Sequence, residues 1–160
     1  MTMHVLSTLR AKAGLSTAAV LLSGVGLGLA TASPAEAYAG YCNKSVTRSS
    51  ALGSLSFAFE AKIPAHDKSM DCYMNRGANS AAVEALQISL NKCYGRSLDV
   101  DGDFGPATEA ALKYAQGKEG LGVDGKYGKE SREGLDWYWD QRSGSRWGCV
   151  RLGEYHHIEA

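Results

Sequence analysis

The sequence predicts a mainly α fold: a small three-helix bundle with two repeated loop-helix units, a short N-terminal β-hairpin and disulfide cross-links. Three observations lead to this prediction. Apolar residues after Asn79 recur at the three-and-four spacing of a helix face. A glycine-containing loop motif occurs twice, 23 residues apart. Four cysteines follow a segment with the composition of an export signal.

Residues 1–37 have the features of a secretory signal peptide. Arg10 and Lys12 precede an apolar stretch from Ala18 to Ala30, and the segment ends in the small-x-small pattern Ala35-Glu36-Ala37. A retained membrane anchor is the alternative, but glycines interrupt the apolar run, which is shorter than the ~20 residues that span a bilayer. We therefore expect cleavage after Ala37, secretion, and no membrane attachment of the mature chain.

The expected export affects the oxidation state predicted for the cysteines. Cys42, Cys72, Cys93 and Cys149 are an even number in a small secreted domain, which predicts two disulfides. A zinc site would need closer Cys or His spacings. Four cysteines allow three pairings, and the sequence alone does not choose among them. We favour Cys72–Cys93, which would tie a helix end to the preceding segment, with Cys42–Cys149, which would join the chain ends.

The N-terminal extension, residues 38–76, contains a period-two pattern. The odd positions of Leu55–Ile63 are all apolar, which is typical of a half-buried strand, and Pro64 is expected to end it. A partner strand near Lys44–Ser49 would complete a β-hairpin. Such a hairpin is marginally stable alone, so it should pack on the segment that follows.

The segment 77–140 is expected to contain the three helices. The first follows Ser80 and ends near Tyr94-Gly95. The second begins after Gly105-Pro106 and stops at Gly117.

The third helix is expected to run from about Lys129 into Trp137-Tyr138-Trp139. Consecutive residues on a helix face different directions, so at least one of Trp137 and Trp139 should be exposed. Residues 141–160, which include Cys149, are expected to form a C-terminal tail.

The loops before the second and third helices share one motif. The pairs Asp101-Gly102 and Asp124-Gly125 predict tight turns, in which glycine adopts a positive φ and aspartate accepts backbone N–H bonds. Val100 and Val123 should point inward. Phe104 and Tyr127 should fill the space beside the next helix start. The motif continues into the helices through Gly105, Thr108 and Gly128.

These residues resemble the three-helix peptidoglycan-binding domain family found on bacterial wall hydrolases. The resemblance covers Gly77–Leu135 and rests on the helix that carries Leu86-Gln87, the loop Val100–Thr108 and the second loop copy Val123–Gly128. It implies a module that binds the bacterial wall without catalysis. The second copy departs from the family pattern at Lys129-Glu130-Ser131, where proline and threonine are usual, although serine keeps the hydroxyl.

Aromatic and polar groups near the helix starts are the candidate ligand contacts. A ring face stacks on the apolar face of a pyranose, while amides and carboxylates bond to its hydroxyls. The candidates are Asp103, Phe104, Gln116, Tyr127 and Trp139.

The sequence predicts no catalytic group, cofactor or metal site. His66 stands alone in a loop. The aspartates from Asp99 to Asp103 have the alternate spacing of a calcium loop, but Phe104 and Ala110 occupy the positions where such a loop needs glycine and an acid. Lys+Arg and Asp+Glu are equal at 17 each, so we expect no nucleic-acid partner.

The predicted function is therefore a secreted, non-catalytic peptidoglycan-binding protein, extracellular or associated with the cell wall. One alternative is a secreted regulator or inhibitor that binds a cell-wall hydrolase, since small disulfide-linked domains suit that role. The others are a targeting subunit for such a hydrolase and a cryptic murein hydrolase.

Overall fold

The structure is a computed structural model that describes residues 39–51, 58–142 and 145–154. The predicted signal peptide and the chain after Glu154 lie outside the described residues. The elements follow one another as β1 (Lys44–Ala51), β2 (Ala58–Ala65), α1 (Ala81–Tyr94), α2 (Pro106–Lys118), α3 (Lys129–Gly134), β3 (Asp136–Gln141) and β4 (Trp147–Arg151).

The prediction of a mainly α fold is wrong. The four strands form one sheet in the order β1-β2-β3-β4, and every neighbouring pair is antiparallel. Three helices are present as expected, but α3 has only 6 residues and ends at Gly134. The fold therefore combines a helical unit with a sheet contributed by both flanking segments.

The predicted third helix fails where its aromatic residues begin. The backbone is already extended at Leu135, and β3 follows. Trp, Tyr and Trp in succession favour a strand, in which alternate side chains share a face. Trp137 and Trp139 are consequently both fully buried, whereas Tyr138 between them is only partly buried. The expectation that one of these tryptophans is exposed assumed a helical period and is wrong.

The predicted disulfide pairing is also wrong. The bonds are Cys42–Cys72 and Cys93–Cys149, so neither Cys72–Cys93 nor Cys42–Cys149 forms. The segment expected to be a tail contains β4, which pairs along β3 and brings Cys149 beside the C-terminal turn of α1. The predicted pairing was based on the positions of chain ends and helix ends. It did not take account of β4, because that strand was not predicted.

Strands β1 and β2 form a hairpin whose buried face is Phe59, Ala61 and Ile63. Leu55 and Phe57, the first positions of the predicted strand, lie outside the described residues. Pro64 does not end β2, which continues to Ala65. Pro64 lies beyond the stretch of β2 that pairs with β3, and proline is tolerated where a strand lies at an edge.

Helix α1 fills an opening in the sheet. Strands β2 and β3 pair only from Phe59 to Ala61, and beyond that point α1 contacts both strands. Two backbone N–H groups of β3 are bonded by α1 instead of by β2. Tyr138 N donates to Ser89 Oγ (3.3 Å), and Asp136 N donates to Tyr94 Oη (2.7 Å). Side chains of a helix thus complete the hydrogen bonding of a strand that would otherwise be unsatisfied.

The hydrophobic core lies between this helix, the sheet and the repeat loops. Its largest fully buried side chains come from β2, α1, α2, β3 and the segments between them: Trp137, Trp139, Tyr127, Phe104, Ile63, Met74, Leu86, Leu90, Leu112 and Leu135. Since these residues form one cluster, the hairpin and the repeats depend on one another for burial.

The disulfide pairing gives a direct test of the fold. Trypsin digestion of the unreduced protein should release residues 93–96 linked to residues 147–151, because Cys93 and Cys149 are bonded. Residues 69–76 should be linked to the peptide that contains Cys42. Mass spectrometry before and after reduction checks both links. A peptide joining residues 69–76 to residues 93–96 would contradict the structure.

Candidate functional site

A buried glutamine organises the first repeat loop. Gln87 on α1 accepts a hydrogen bond from Gly102 N (3.0 Å) through Oε1. Its Nε2 donates to Asp101 Oδ1 (2.8 Å), Asp103 O (3.0 Å) and Thr108 Oγ1 (3.2 Å). One side-chain amide thereby satisfies donors and acceptors of the loop and of the next helix start, as a buried polar group requires.

The second loop uses the same device. Gln116 on α2 accepts from Gly125 N (2.9 Å) and donates to Asp124 Oδ1 (2.9 Å), Lys126 O (3.0 Å) and Ser131 Oγ (3.2 Å). Each partner occupies the position equivalent to its counterpart in the first loop. Gln116 was predicted as a ligand contact, but its amide is committed to this network.

The turn geometry confirms the predicted roles of the Asp-Gly pairs. Asp101 Oδ1 accepts from Asp103 N (2.9 Å), and Asp124 Oδ1 accepts from Lys126 N (2.8 Å). Gly102 and Gly125 have φ of +74° and +71°, a region that side chains disfavour. The prediction that Val100 and Val123 point inward is wrong, because both are exposed. The residues that pack at the edge of the core are instead Leu98 and Leu121.

Glycines start both repeat helices. Gly105 and Gly128 are the N-cap residues of α2 and α3 and have extended backbone without a side-chain cap. The hydroxyls of Thr108 and Ser131 donate to the loop carbonyls of Asp103 and Lys126, each at 3.2 Å. Ser131 therefore makes the same hydrogen bonds as Thr108, and the departure from the family pattern leaves the loop intact.

Three of the predicted ligand residues lie in the core. Phe104, Tyr127 and Trp139 are essentially fully buried, so their rings have no exposed face on which a sugar could stack. Phe104 and Tyr127 do fill the space beside the helix starts, as predicted. Asp103 is exposed, but it does not line the same groove as Gln116 and Tyr127. The predicted contacts therefore do not form one surface.

The second loop borders an open groove of about 310 Å³. We call it the repeat groove. Its lining residues come from α2, the second loop, the start of α3 and one tyrosine outside the repeats: Tyr73, Gln116, Asp124, Lys126, Tyr127, Gly128, Lys129, Glu130 and Ser131.

Tyr73, which lines the repeat groove, packs against a second tyrosine, Tyr41. The ring of Tyr73 lies 4.3 Å from the ring of Tyr41, between centroids, and Tyr41 is 51% exposed. A backbone bridge between Met74 and Tyr127 holds this segment against the second loop. Sequence reasoning missed both tyrosines because they lie outside the repeats and outside any periodic pattern.

The acids and the cations of the repeat groove have different surroundings. Asp124 bonds to its own turn, and Glu130 Oε1 accepts from Gly122 N (2.9 Å). Lys126 and Lys129 are exposed at the rim. Two carboxylates are thus occupied by backbone donors, while the Lys126 side chain is exposed to solvent.

Tyr127, one of the residues that line the repeat groove, has a hydroxyl in an unusual environment. It is buried and has no hydrogen-bond partner among the described residues. Burial raises the pKa of Tyr127 above its ordinary value, so the hydroxyl is protonated at every ordinary pH. Buried polar atoms rarely lack a partner, so this hydroxyl is a position where an ordered water molecule is expected.

The part of the chain that the structure describes contains no cluster of three or more His, Cys, Asp or Glu residues suited to a metal ion. The imidazole Nδ1 of His66 lies 2.7 Å from Tyr41 O, which indicates a structural role. No helix of the described ranges is long and apolar enough to cross a membrane.

A protein-family model described as a putative peptidoglycan binding domain matches residues 79–133. Residues 79–133 are therefore similar to the peptidoglycan-binding domain family, and this matched segment is called the peptidoglycan-binding domain below. The peptidoglycan-binding domain thus contains α1, α2, most of α3 and both glutamine networks. All four strands lie outside it.

A solved structure offers a more distant likeness. It is a peptidoglycan-binding protein from Clostridioides difficile in complex with glutamine hydroxamate, 23% identical to this chain, with a TM-score of 0.38. The similarity covers 52% of this chain and 52% of that protein, so this chain spans about half of its length. No curated protein matches the chain.

Replacing Gln87 by methionine tests the glutamine network. The side chains are similar in size, but methionine leaves Gly102 N and the other loop groups without their partner. We expect the free energy of unfolding to fall by about 1–3 kcal/mol, measured by urea denaturation. Lys118→Met, an exposed substitution, should change it by less than about 0.5 kcal/mol. Equal effects of the two substitutions would contradict a stabilising network.

Acid should weaken the first loop through Asp101. The hydrogen bond from Gln87, followed by that from Asp103 N, lowers the pKa of Asp101 in the folded state. The stability gained from the ionised carboxylate is present above the pKa that Asp101 has in the unfolded chain, ~3.9. It is lost as pH falls through the lower pKa of Asp101 in the folded state. Asp101→Asn keeps an acceptor oxygen without the charge. Its stability deficit, measured in urea, should therefore shrink between pH 6 and pH 3. A constant deficit would contradict this assignment.

Proposed function

We propose that this chain is a secreted, non-catalytic protein that binds peptidoglycan through the repeat groove. The observation that carries the proposal is the position of this groove: it opens at the second loop of a peptidoglycan-binding domain, beside paired tyrosines and exposed lysines. Wall binding follows from the domain family. The binding surface, secretion and the absence of catalysis are the further steps that we propose.

The chemistry of the repeat groove suits both parts of peptidoglycan. The ring of Tyr41, paired with Tyr73, provides an exposed aromatic surface of the kind that stacks on a sugar. Lys126 provides a donor for the carboxylates of the stem peptides.

The proposal that the repeat groove is non-catalytic rests on its carboxylates. Hydrolysis by a general base needs an acid or base within reach of the reacting atoms. Asp124 and Glu130 instead accept hydrogen bonds from backbone N–H groups of their own loop. These hydrogen bonds stabilise the loop that forms the groove. We therefore assign the two carboxylates a structural role and not the role of a general base.

Secretion is supported by the N-terminal sequence and by the disulfides. Residues 1–37 have the pattern of a signal peptide, and all four cysteines are paired. Disulfides persist in oxidising compartments and are rare in the cytosol. We therefore place the mature protein outside the cell, at the wall.

Sedimentation of the oxidised protein with purified insoluble peptidoglycan tests the proposal. We expect retention in the pellet without release of soluble muropeptides. Lys126→Glu should weaken retention about tenfold, because it replaces a donor by a carboxylate that repels the stem peptides. Lys118→Glu reverses an exposed lysine outside the repeat groove and should leave retention unchanged.

Other outcomes would overturn parts of the proposal. Equal effects of Lys126→Glu and Lys118→Glu would place the binding surface elsewhere. Release of muropeptides would show catalysis. Failure of the protein to sediment in the absence of other proteins would exclude wall binding and turn attention to a cell-wall hydrolase as the partner.

A further inference from the structure

A second groove lies where β2 and β3 separate. Beyond the pairing of Ala61 with Trp139 the two strands have no common register, and α1 forms the floor between them. The resulting cavity has a volume of about 240 Å³ and is called here the sheet groove. Its lining residues come from three strands and one helix: Thr47, Glu60, Lys62, Ala85, Ile88, Ser89, Tyr138, Asp140 and Arg142.

The sheet groove has an apolar centre and an aromatic wall. Ala85 and Ile88 of α1 contribute the aliphatic surface, and Tyr138 contributes a ring. Tyr138 alternates along β3 with the buried Trp137 and Trp139, so its side chain points to the opposite face of the strand.

An exposed tryptophan extends the aromatic wall. Trp147 on β4 lies beside Tyr138 with ring centroids 5.8 Å apart, and it is 56% exposed. The Lys92 ammonium lies 5.7 Å from the centroid of the Tyr138 ring. The two ring planes are inclined by 44°, so the accessible indole offers a face of the size of a sugar ring with the Tyr138 ring at its side.

The charges around the sheet groove balance. Glu60 and Asp140, which are cross-strand partners, supply two carboxylates, and Lys62 and Arg142 supply two cations. Arg142 Nη1 lies 3.5 Å from Glu60 Oε1. A rim without net charge does not select a charged ligand. It offers donors and acceptors in equal measure, which suits a neutral molecule with many hydroxyl and amide groups.

We propose that the sheet groove is a saccharide-binding subsite that takes a neutral N-acetylated glycan, with Tyr138 and Trp147 as the stacking platform. The choice of an N-acetylated sugar rests on the proposed wall-binding function. The subsite itself lies mainly on strands outside residues 79–133, so the peptidoglycan-binding domain does not contain it. The chain would then contact the wall at two places, with the glycan strand held by the sheet groove.

Titration with a soluble N-acetylglucosamine tetramer, followed by tryptophan fluorescence, tests the proposal. Of the three tryptophans only Trp147 is exposed, so a bound sugar should shift its emission and protect it from acrylamide. Trp147→Ala should weaken binding about tenfold when measured by calorimetry, and Trp147→Phe should weaken it less. Tyr114→Ala removes another exposed aromatic ring, outside both grooves, and should leave binding unchanged.

Asp140→Ala provides a second test, because this exposed rim residue can be removed without disturbing the core. It should also weaken binding of the tetramer. The proposal is overturned if the tetramer does not bind at millimolar concentration, or if Trp147→Ala and Asp140→Ala bind it normally. It is also overturned if Lys126→Glu abolishes tetramer binding while Trp147→Ala does not. Sedimentation with intact peptidoglycan is measured separately, so failure of this subsite is distinguishable from failure of wall binding.

Discussion

Helix α1 makes hydrogen bonds on which both the first repeat loop and strand β3 depend. Through Gln87 it orders the first repeat loop, and through Ser89 and Tyr94 it satisfies backbone donors of β3. These polar contacts are directional and mostly buried, so they fix the helix in one rotation and one position relative to the sheet. The apolar side chains Leu86 and Leu90 then pack into the common core. Both grooves depend on the same helix. It forms the floor of the sheet groove, and it is the first helix of the domain whose second loop borders the repeat groove.

The repeat loops were predictable because their determinants are local. An Asp-Gly pair forms its turn through its own backbone, and the following Phe104 or Tyr127 is buried beside it. The first two helices were also placed correctly to within a residue or two, since their periodicity and terminal glycines or proline are local signals as well. What could not be seen locally is that Gln87 of α1 and Gln116 of α2 make equivalent hydrogen bonds to the two loops.

The sheet and the site were not predictable in the same way. Whether Trp137-Tyr138-Trp139 is helical or extended depends on the existence of β2 and β4 as partners, and this is a tertiary interaction. Assigning a helical period to these residues led to the predictions of an exposed tryptophan and of a mainly α fold. Because β4 was not predicted either, the disulfide pairing was also wrong. The ligand candidates failed for a related reason. An aromatic residue that recurs beside a helix start is as well explained by packing as by binding, and burial decides for packing here.

The order of the disulfides has a consequence for how the chain matures. The first cysteine pairs with the second and the third with the fourth, so the two covalent rings, Cys42–Cys72 and Cys93–Cys149, follow one another without overlap. A polypeptide that crosses a membrane from its N-terminus presents its cysteines to the oxidising side in that same order. An enzyme that joins each newly arrived thiol to the preceding free one would therefore make the native bonds at the first attempt. The secretion proposed above would then require an oxidant for these thiols but no isomerase to exchange them.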